Sequence, residues 1–356
     1  MSSQFYPLTV TAIKKLTPTS VALYLLPNAD AAHNFSYTQG QYLTFKAQLN
    51  GSEVRRSYSL CSSPATATAL CVGIKQVPNG VFSTYACTQL KVGDVLETQT
   101  PTGNFFTKLD SSQQKKYVGI AAGSGITPIL SILKTSLVTE LQSSFTLLYA
   151  NKCADEIMFK EELADLATKF PQRFKVHYLF SQEKTADPLF SGRINAEKFL
   201  QLGQKDNNLL EADDYFLCGP YDMIQNLQTC FTDLGKTKNQ VHFELFTTPV
   251  SAEEEAKPSP QASFESEVSV VIDDIEYNFT MPNEGTSILD AAIEAGADAP
   301  FSCKGAVCCT CRAKVMEGSI RMEKNYALSE DEVAEGFVLA CQSHPNSEKV
   351  VLSFDE

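Results

Sequence analysis

Four cysteines fall within nine positions, CKGAVCCTC (303–311), in a chain of 356 residues that spreads its other seven thinly. Cys303, Cys308 and Cys311 form C-x4-C-x2-C, and Cys341 follows after 29 intervening residues. Four soft anionic donors, three on one loop and one brought back by the fold, match the ligand spacing of a [2Fe–2S] cluster. Gly305 and Ala306 are small, so the loop backbone can approach bridging sulfides and turn its N–H groups on them. Zinc is the rival occupant. Structural zinc sites are built from paired C-x2–4-C or Cys/His units, whereas here the fourth cysteine stands alone and the loop has no histidine. A disulfide knot is the third reading. It conflicts with an odd total of eleven cysteines and with an opening, MSSQFYPLTV, that has no secretory pattern. Cys309 exceeds the ligand count and reads as a small buried apolar residue beside the loop.

Other stretches offer a different chemistry. In RRSYSLCSS (55–63), Arg56 and Tyr58 alternate along a strand and share a face. Arginine pairs bidentately with a pyrophosphate, a tyrosine ring can cover a flat heterocycle, and Ser59 adds a hydroxyl. An ordinary barrel strand is the plain alternative. In VPNGVFSTYA (77–86), Gly80 precedes a helix start, where N–H groups and the helix dipole favour an anion. YVGIAAGSGITPILSIL (117–133) reads as strand, glycine loop and helix, with Gly123-x-Gly125-x-x-Pro128. A dinucleotide fingerprint has a third glycine where Pro128 stands, and proline suits a first helical turn instead.

Together these residues resemble the ferredoxin–NADP reductase family. Arg56, Ser57, Tyr58 and Ser59 are similar to its R-x-Y-S/T flavin motif. The resemblance implies that Arg56 holds the FAD pyrophosphate, Tyr58 packs on the isoalloxazine and Ser59 lies near the flavin N5. Lys75, Gly80, Val81, Phe82, Ser83 and Thr84 resemble a second flavin element, whose N–H and hydroxyl groups hold the FAD phosphates. By the same resemblance Gly123, Gly125, Thr127 and Pro128 receive the phosphates of a pyridine nucleotide. Cys218, Gly219 and Pro220, in FLCGPYDMI, match a C-G-P segment beside the nicotinamide; an inert strand-end thiol is the other reading of Cys218. HFELF (242–246) looks like the closing strand, with Glu244 and Phe246 bordering the flavin. Ser59, Cys218 and Glu244 are thereby the expected catalytic positions. In FSQEK (180–184), Ser181 stands where NADP users carry Ser-Arg, but Gln182 replaces the arginine and Lys152, Lys184 or Arg193 would have to substitute. NADPH is the expected donor, with NADH open.

These residues need three kinds of scaffold. Residues 1–110 alternate apolar and polar residues in short runs punctuated by Gly, Pro and Asn, the pattern of a small antiparallel barrel or sandwich. Over 111–247 apolar runs alternate with helical stretches, which implies a parallel sheet covered on both faces. One helix should bury Met158, Leu163, Leu166 and Phe170, and another Met223, Leu227, Cys230 and Leu234. Residues 248–263 hold three prolines and a glutamate run and read as a solvated linker. Residues 264–356 resemble a plant-type ferredoxin domain. The expected class is therefore multidomain: an antiparallel β-barrel FAD domain, an α/β parallel-sheet nucleotide domain and an α+β β-grasp ferredoxin domain.

The net charge is −13, and residues 264–356 account for most of it with six Lys and Arg against 18 Asp and Glu. That excludes nucleic acid as a partner there, because phosphates are repelled, and suits docking on a basic protein patch or simply a solvated acidic surface. No run of about 18 apolar residues appears, so no membrane span is expected and the chain reads as cytoplasmic. The expected activity is electron transfer from NAD(P)H through FAD and a [2Fe–2S] cluster to an oxygenase component. A reductase of another redox metalloenzyme and a flavin/iron–sulfur sensor without turnover are the alternatives.

Overall fold

Strand β1 (Tyr6–Thr17) turns Leu8 and Val10 inward by simple alternation. A register shift between Val10 and Ala12 where it pairs with β2 (Ser20–Pro27) then inserts a residue and resets the faces. β2 is buried on both sides. Val21, Leu23 and Leu25 point into the barrel core, while Ala22 packs in a second core shared with the nucleotide-binding half. With β3 (Tyr42–Leu49), β4 (Ser52–Ser59), β5 (Leu70–Lys75) and β6 (Val95–Thr98), the sheet order is β4-β3-β6-β1-β2-β5. A single antiparallel bridge from Leu60 to Val72 links the chain just past β4 to β5, so the two ends of the sheet meet. Helix α1 (Val81–Thr88) adds Phe82 and Ala86 to the barrel core.

This is a computed structural model that describes residues 4–246 and 264–356. The expected linker, 248–263, lies outside them. The chain divides into two compact units, one of residues 6–54 and 58–246, the other built on 264–356 with residues 55–57 assigned to it.

Strands β7 (Lys116–Ala122), β8 (Ser144–Asn151), β9 (Phe174–Phe180), β10 (Asp214–Cys218) and β11 (Val241–Glu244) form a wholly parallel sheet in the order β11-β10-β7-β8-β9. Their apolar runs are continuous because helices cover both faces: α2 (Ile126–Thr139), α3 (Lys160–Lys169), α4 (Ala196–Lys205) and α5 (Tyr221–Asp233). The winding direction reverses between β7 and β10, which places the ligand crevice of such a sheet at their carboxyl ends. Two expectations need correction. Met158 is buried but precedes α3, which starts only after Phe159 at positive φ, and Phe170 caps the helix end, half-buried like Leu166. Leu234 does not join the buried face of α5; it caps the helix and is 40% exposed, and Phe231 is buried in its place. The helix stops at Asp233 because Gly235, at φ +73°, turns the chain, and the Lys236 amide closes back on the Phe231 carbonyl.

In the C-terminal unit β12 (Glu265–Ile272) and β13 (Ile275–Pro282) form a hairpin across Asp273 and Asp274, both at positive φ. Their amides donate to the two carboxylate oxygens of Asp355. β14 (Arg312–Glu317), β15 (Ile320–Met322), β16 (Phe337–Leu339), β17 (Ser343–Pro345) and β18 (Lys349–Ser353) complete it. The main sheet runs β13-β12-β18-β14-β16, and β12 pairs in parallel with β18. Helix α6 (Ile288–Glu294) lays Ile288, Leu289 and Ala292 on its core, while the short α7 (Glu330–Ala334) carries a Ser329–Glu332 capping box. Among the described residues no helix is long and apolar enough to cross a membrane.

Candidate functional site

The cysteine loop lies between α6 and β14, and Cys341 returns to it on a single 3-10 turn after β16. Two non-glycine residues, Lys304 and Ala306, adopt positive φ (50° and 63°). This twist aims backbone N–H groups at sulfur. The Gly305 amide is 3.3 Å from Cys303 Sγ, the Val307 and Cys308 amides reach the same thiol, and the Ala306 amide reaches Cys341. Ala306 is fully buried, which explains why the position holds a small residue.

The four thiols form two pairs. Cys308 donates to Cys303 Sγ at 3.1 Å, and Cys311 bonds Cys341. The Cys308 donor and the loop amides hold the Cys303 thiol below the usual thiol range, whereas Cys308 and Cys311, as the donating members, are pushed well up. Two thiol pairs fit a centre of two irons, each iron taking one pair. Cys309 turns away: it is buried in the apolar core and its thiol donates to the Ala327 carbonyl.

The second site gathers at the carboxyl ends of β10 and β11. Cys218 and Glu244 are register partners there. Ser59, at the end of β4 and 185 residues away in sequence, donates its hydroxyl to Glu244 Oε2 at 3.0 Å. Glu244 keeps part of its surface exposed, yet the groups crowding its carboxyl disfavour the charged form and raise its pKa to about 8; the Ser59 bond opposes this only partly. Burial pushes the Cys218 thiol well above the usual thiol range. Phe246 is 40% exposed just beyond.

On β4, Arg56 is exposed and donates to the Arg55 carbonyl, and Ser57 is partly exposed. The Tyr58 ring lies half-buried against Phe82, 5.6 Å between centroids. The Phe82 side chain is itself barrel core, so only its backbone amide remains for a ligand. The hydroxyls expected to hold phosphate are engaged within their own loop: Ser83 accepts from the Val77 amide and donates to the Gly80 carbonyl, and Thr84 accepts from Gln76. The Gly80 and Thr84 amides are also taken, by the Val77 and Gly80 carbonyls. What the loop offers an anion is the first amides of α1, beginning at exposed Val81. Lys75 forms a 2.7 Å ion pair with Glu156 across the two halves of the unit, and Glu156, unremarked in the sequence, is held below its usual carboxylate range by that bond.

In the glycine loop, Gly123 sits at φ +55° with open space where a Cβ would point. A Cβ on Gly125 would fall 2.0 Å from the Cys218 carbonyl oxygen, so only glycine lets the loop close on β10. A Cβ on Gly219 would meet Met223 and Ala122. Thr127 donates to the Ser124 carbonyl, and Pro128 lies in the first turn of α2. Pro220 stands directly before the first turn of α5, so prolines mark the start of both helices that flank β10. Ser181 is exposed at the end of β9, its amide on the Asn151 carbonyl. The Gln182 amide donates to the Lys152 carbonyl, and the Glu183 carboxylate accepts the Ala154 amide. An open loop at Gly123, a half-exposed Tyr58 ring beside helix amides, and two thiol pairs under inward-turned N–H groups all fit the groups the sequence implies.

A barrel joined to a parallel nucleotide sheet and a separate four-thiol unit define a flavin- and nicotinamide-dependent iron–sulfur oxidoreductase. Profiles described as "Oxidoreductase FAD-binding domain", "Oxidoreductase NAD-binding domain" and "2Fe-2S iron-sulfur cluster binding domain" match residues 7–107, 120–229 and 270–346. The chain is 39% identical over 352 residues to one of the subunits of 1,2-phenylacetyl-CoA epoxidase from Escherichia coli K12, covering 99% of this chain and 98% of that one. It is 34% identical to the ferredoxin reductase component of 3-ketosteroid-9-alpha-monooxygenase from Mycobacterium tuberculosis, covering 90% and 86%. Phthalate dioxygenase reductase shares the fold at TM-score 0.56 and 23% identity, over 99% of this chain and all of that one. An intact type IV self-sufficient cytochrome P450 monooxygenase shares it at TM-score 0.72 and 21% identity, over 98% of this chain and 41% of that one. The chain belongs to the ferredoxin–NADP reductase family, in its branch of oxygenase reductases with a C-terminal [2Fe–2S] ferredoxin domain. It is an oxidoreductase that uses FAD, a pyridine nucleotide and a [2Fe–2S] cluster.

Proposed function

We propose that this chain supplies electrons from NADPH to the oxygenase component of a phenylacetyl-CoA epoxidase, working in the cytoplasm. The observation that carries this reading is the end-to-end likeness to the E. coli protein, 39% identity over 99% of the chain. When bound, FAD accepts a hydride from the nicotinamide and releases its electrons singly, and the cluster carries them on one at a time. The residues divide the remaining work. Arg56 and the amides of Val81, Phe82 and Ser83 bind the FAD phosphates, Gly80 and Thr84 close the turn that presents those amides, and Tyr58 supplies a flat apolar face. Ser59 and Glu244 hold a proton between Oγ and Oε2 at the edge where Cys218, Gly219 and Pro220 shape the nicotinamide pocket. Gly123, Gly125, Thr127 and Pro128 receive the nucleotide's phosphates, and Ser181 its adenosine end. Cys303, Cys308, Cys311 and Cys341 hold the cluster.

Acceptor docking falls on the C-terminal unit. A cleft of about 550 Å³ opens beside Cys341, lined by Asp290, Glu294, Glu323, Lys304 and His344. Its acidic balance favours a basic patch on the partner. Reconstitution tests the function: NADPH-dependent epoxidation by phenylacetyl-CoA epoxidase oxygenase components should require this chain. Brisk cytochrome c reduction without epoxidation would assign another oxygenase as its client. Negligible cytochrome c reduction would favour the sensor.

A further inference from the structure

The nucleotide loop can bind phosphate only if its peptides present N–H groups outward and keep their carbonyls turned away, because a carbonyl facing a phosphate repels it. Gly123, at φ +55°, is the weak point: glycine allows its peptide to rotate at little cost. The structure shows what stops it. Tyr149 of β8, fully buried and paired in register with Ala121 of β7, donates its hydroxyl to the Gly123 carbonyl at 3.0 Å. The same carbonyl accepts the Ile126 amide. The Tyr149 oxygen in turn accepts the Met158 amide at 3.3 Å, so it is held from a second side. Burial raises the phenol's pKa, which keeps it a donor throughout the working range.

We propose that Tyr149 is a positioning residue for the pyridine nucleotide: by holding the Gly123 carbonyl inward it turns the Ser124 N–H outward, to the phosphates. The peptide bond is trans, so the carbonyl of residue 123 and the N–H of residue 124 point in opposite directions, and fixing one fixes the other. This rests on the reading of Gly123–Gly125 as the phosphate loop. A purely structural tyrosine would fill the sheet face beside Tyr178, whose ring lies 6.2 Å away, and satisfy the Met158 amide; losing either would lower stability and leave KM unmoved.

The test uses the full-length holoenzyme in three forms: wild type, Tyr149→Phe and Gly123→Ala. Tyr149→Phe should raise KM for NADPH and NADH about tenfold, the loss of roughly one hydrogen bond, while kcat at saturation stays within about twofold and flavin and cluster absorbance stay unchanged. Gly123→Ala places a methyl in the open space in front of the loop and should raise KM at least as much. If Gly123→Ala raises KM and Tyr149→Phe only lowers thermal stability, the tyrosine is structural and the inference is overturned while the loop reading stands. If Gly123→Ala leaves KM unchanged, the loop reading fails and the inference fails with it. Amide exchange on the wild-type holoenzyme gives a reading that needs no variant: saturating NADP+ should slow exchange at Ser124, and unchanged exchange there overturns the proposal.

Discussion

At the scale of single residues, Glu244 is the clearest titrating group. Its pKa is about 8 in the folded chain and near 4.5 when the chain is unfolded, so between those values the folded protein holds a proton that the unfolded one has lost. Stability should therefore fall as pH rises from about 5 through 8, and Glu244→Gln should flatten that slope. Urea midpoints at several pH values compare the two; parallel curves would show that the carboxyl is charged in the folded state. The thiols allow a second contrast. Cys341→Ser should remove or destabilise the cluster while flavin reduction by NADPH stays within about twofold, whereas Cys309→Ala should leave cluster absorbance at full yield, because Cys309 faces the apolar core. A cluster at full occupancy in Cys341→Ser would mean that another residue is the fourth ligand.

At the scale of elements, the packing of β5 against the nucleotide loop sets the sharpest constraint. A Cβ on Gly73 would come within 2.6 Å of the Thr127 methyl and 3.0 Å of the Phe159 ring, and Phe159 is itself at φ +57° where α3 begins. Neither neighbour is the free end of a long side chain. Gly73→Ala should cost about 1–3 kcal/mol and weaken nucleotide binding through Thr127, read as a lower Tm together with a higher KM. Unchanged values of both would mean that the barrel and sheet part easily at this point. The elements also show what the sequence could disclose. Alternation and period announced the barrel strands, the parallel sheet and the glycine loop, because each is a local pattern. The end of α5 was missed by one residue, since Gly235 acts one position beyond the periodic run. Tyr149 and Glu156 left no local sign: one sits inside the continuous apolar run FTLLYA, the other in a surface turn, and their partners Gly123 and Lys75 lie 26 and 81 residues away. The meeting of Ser59 with Glu244 was legible only through family resemblance, for nothing in either segment specifies a contact 185 residues long.

At the scale of the whole molecule, charge is unevenly divided along the chain. Residues 264–356 carry 18 acidic against six basic residues, while the rest of the chain is close to neutral. Cys341 opens on a cleft whose walls set Asp290, Glu294 and Glu323 against Lys304, which pairs with Asp290, so the balance at that edge of the four-thiol centre is acidic. A field of this kind accelerates encounter with a basic acceptor and is screened by salt. Raising ionic strength from about 0.1 M to 1 M shortens the Debye length from about 10 Å to about 3 Å. The second-order rate of cytochrome c reduction should then fall by about tenfold or more. Hydride transfer into the flavin, followed anaerobically at saturating NADPH, should change little, because that step lies within the nearly neutral part of the chain. Charge reversal distinguishes the cleft from the diffuse charge of the unit: Glu294→Lys with Glu323→Lys should remove most of the salt dependence, while the same change at Glu265 and Glu276, on β12 and β13, should remove little. Equal effects from both pairs would place acceptor docking away from the Cys341 cleft and leave the acidity as a general property of the surface.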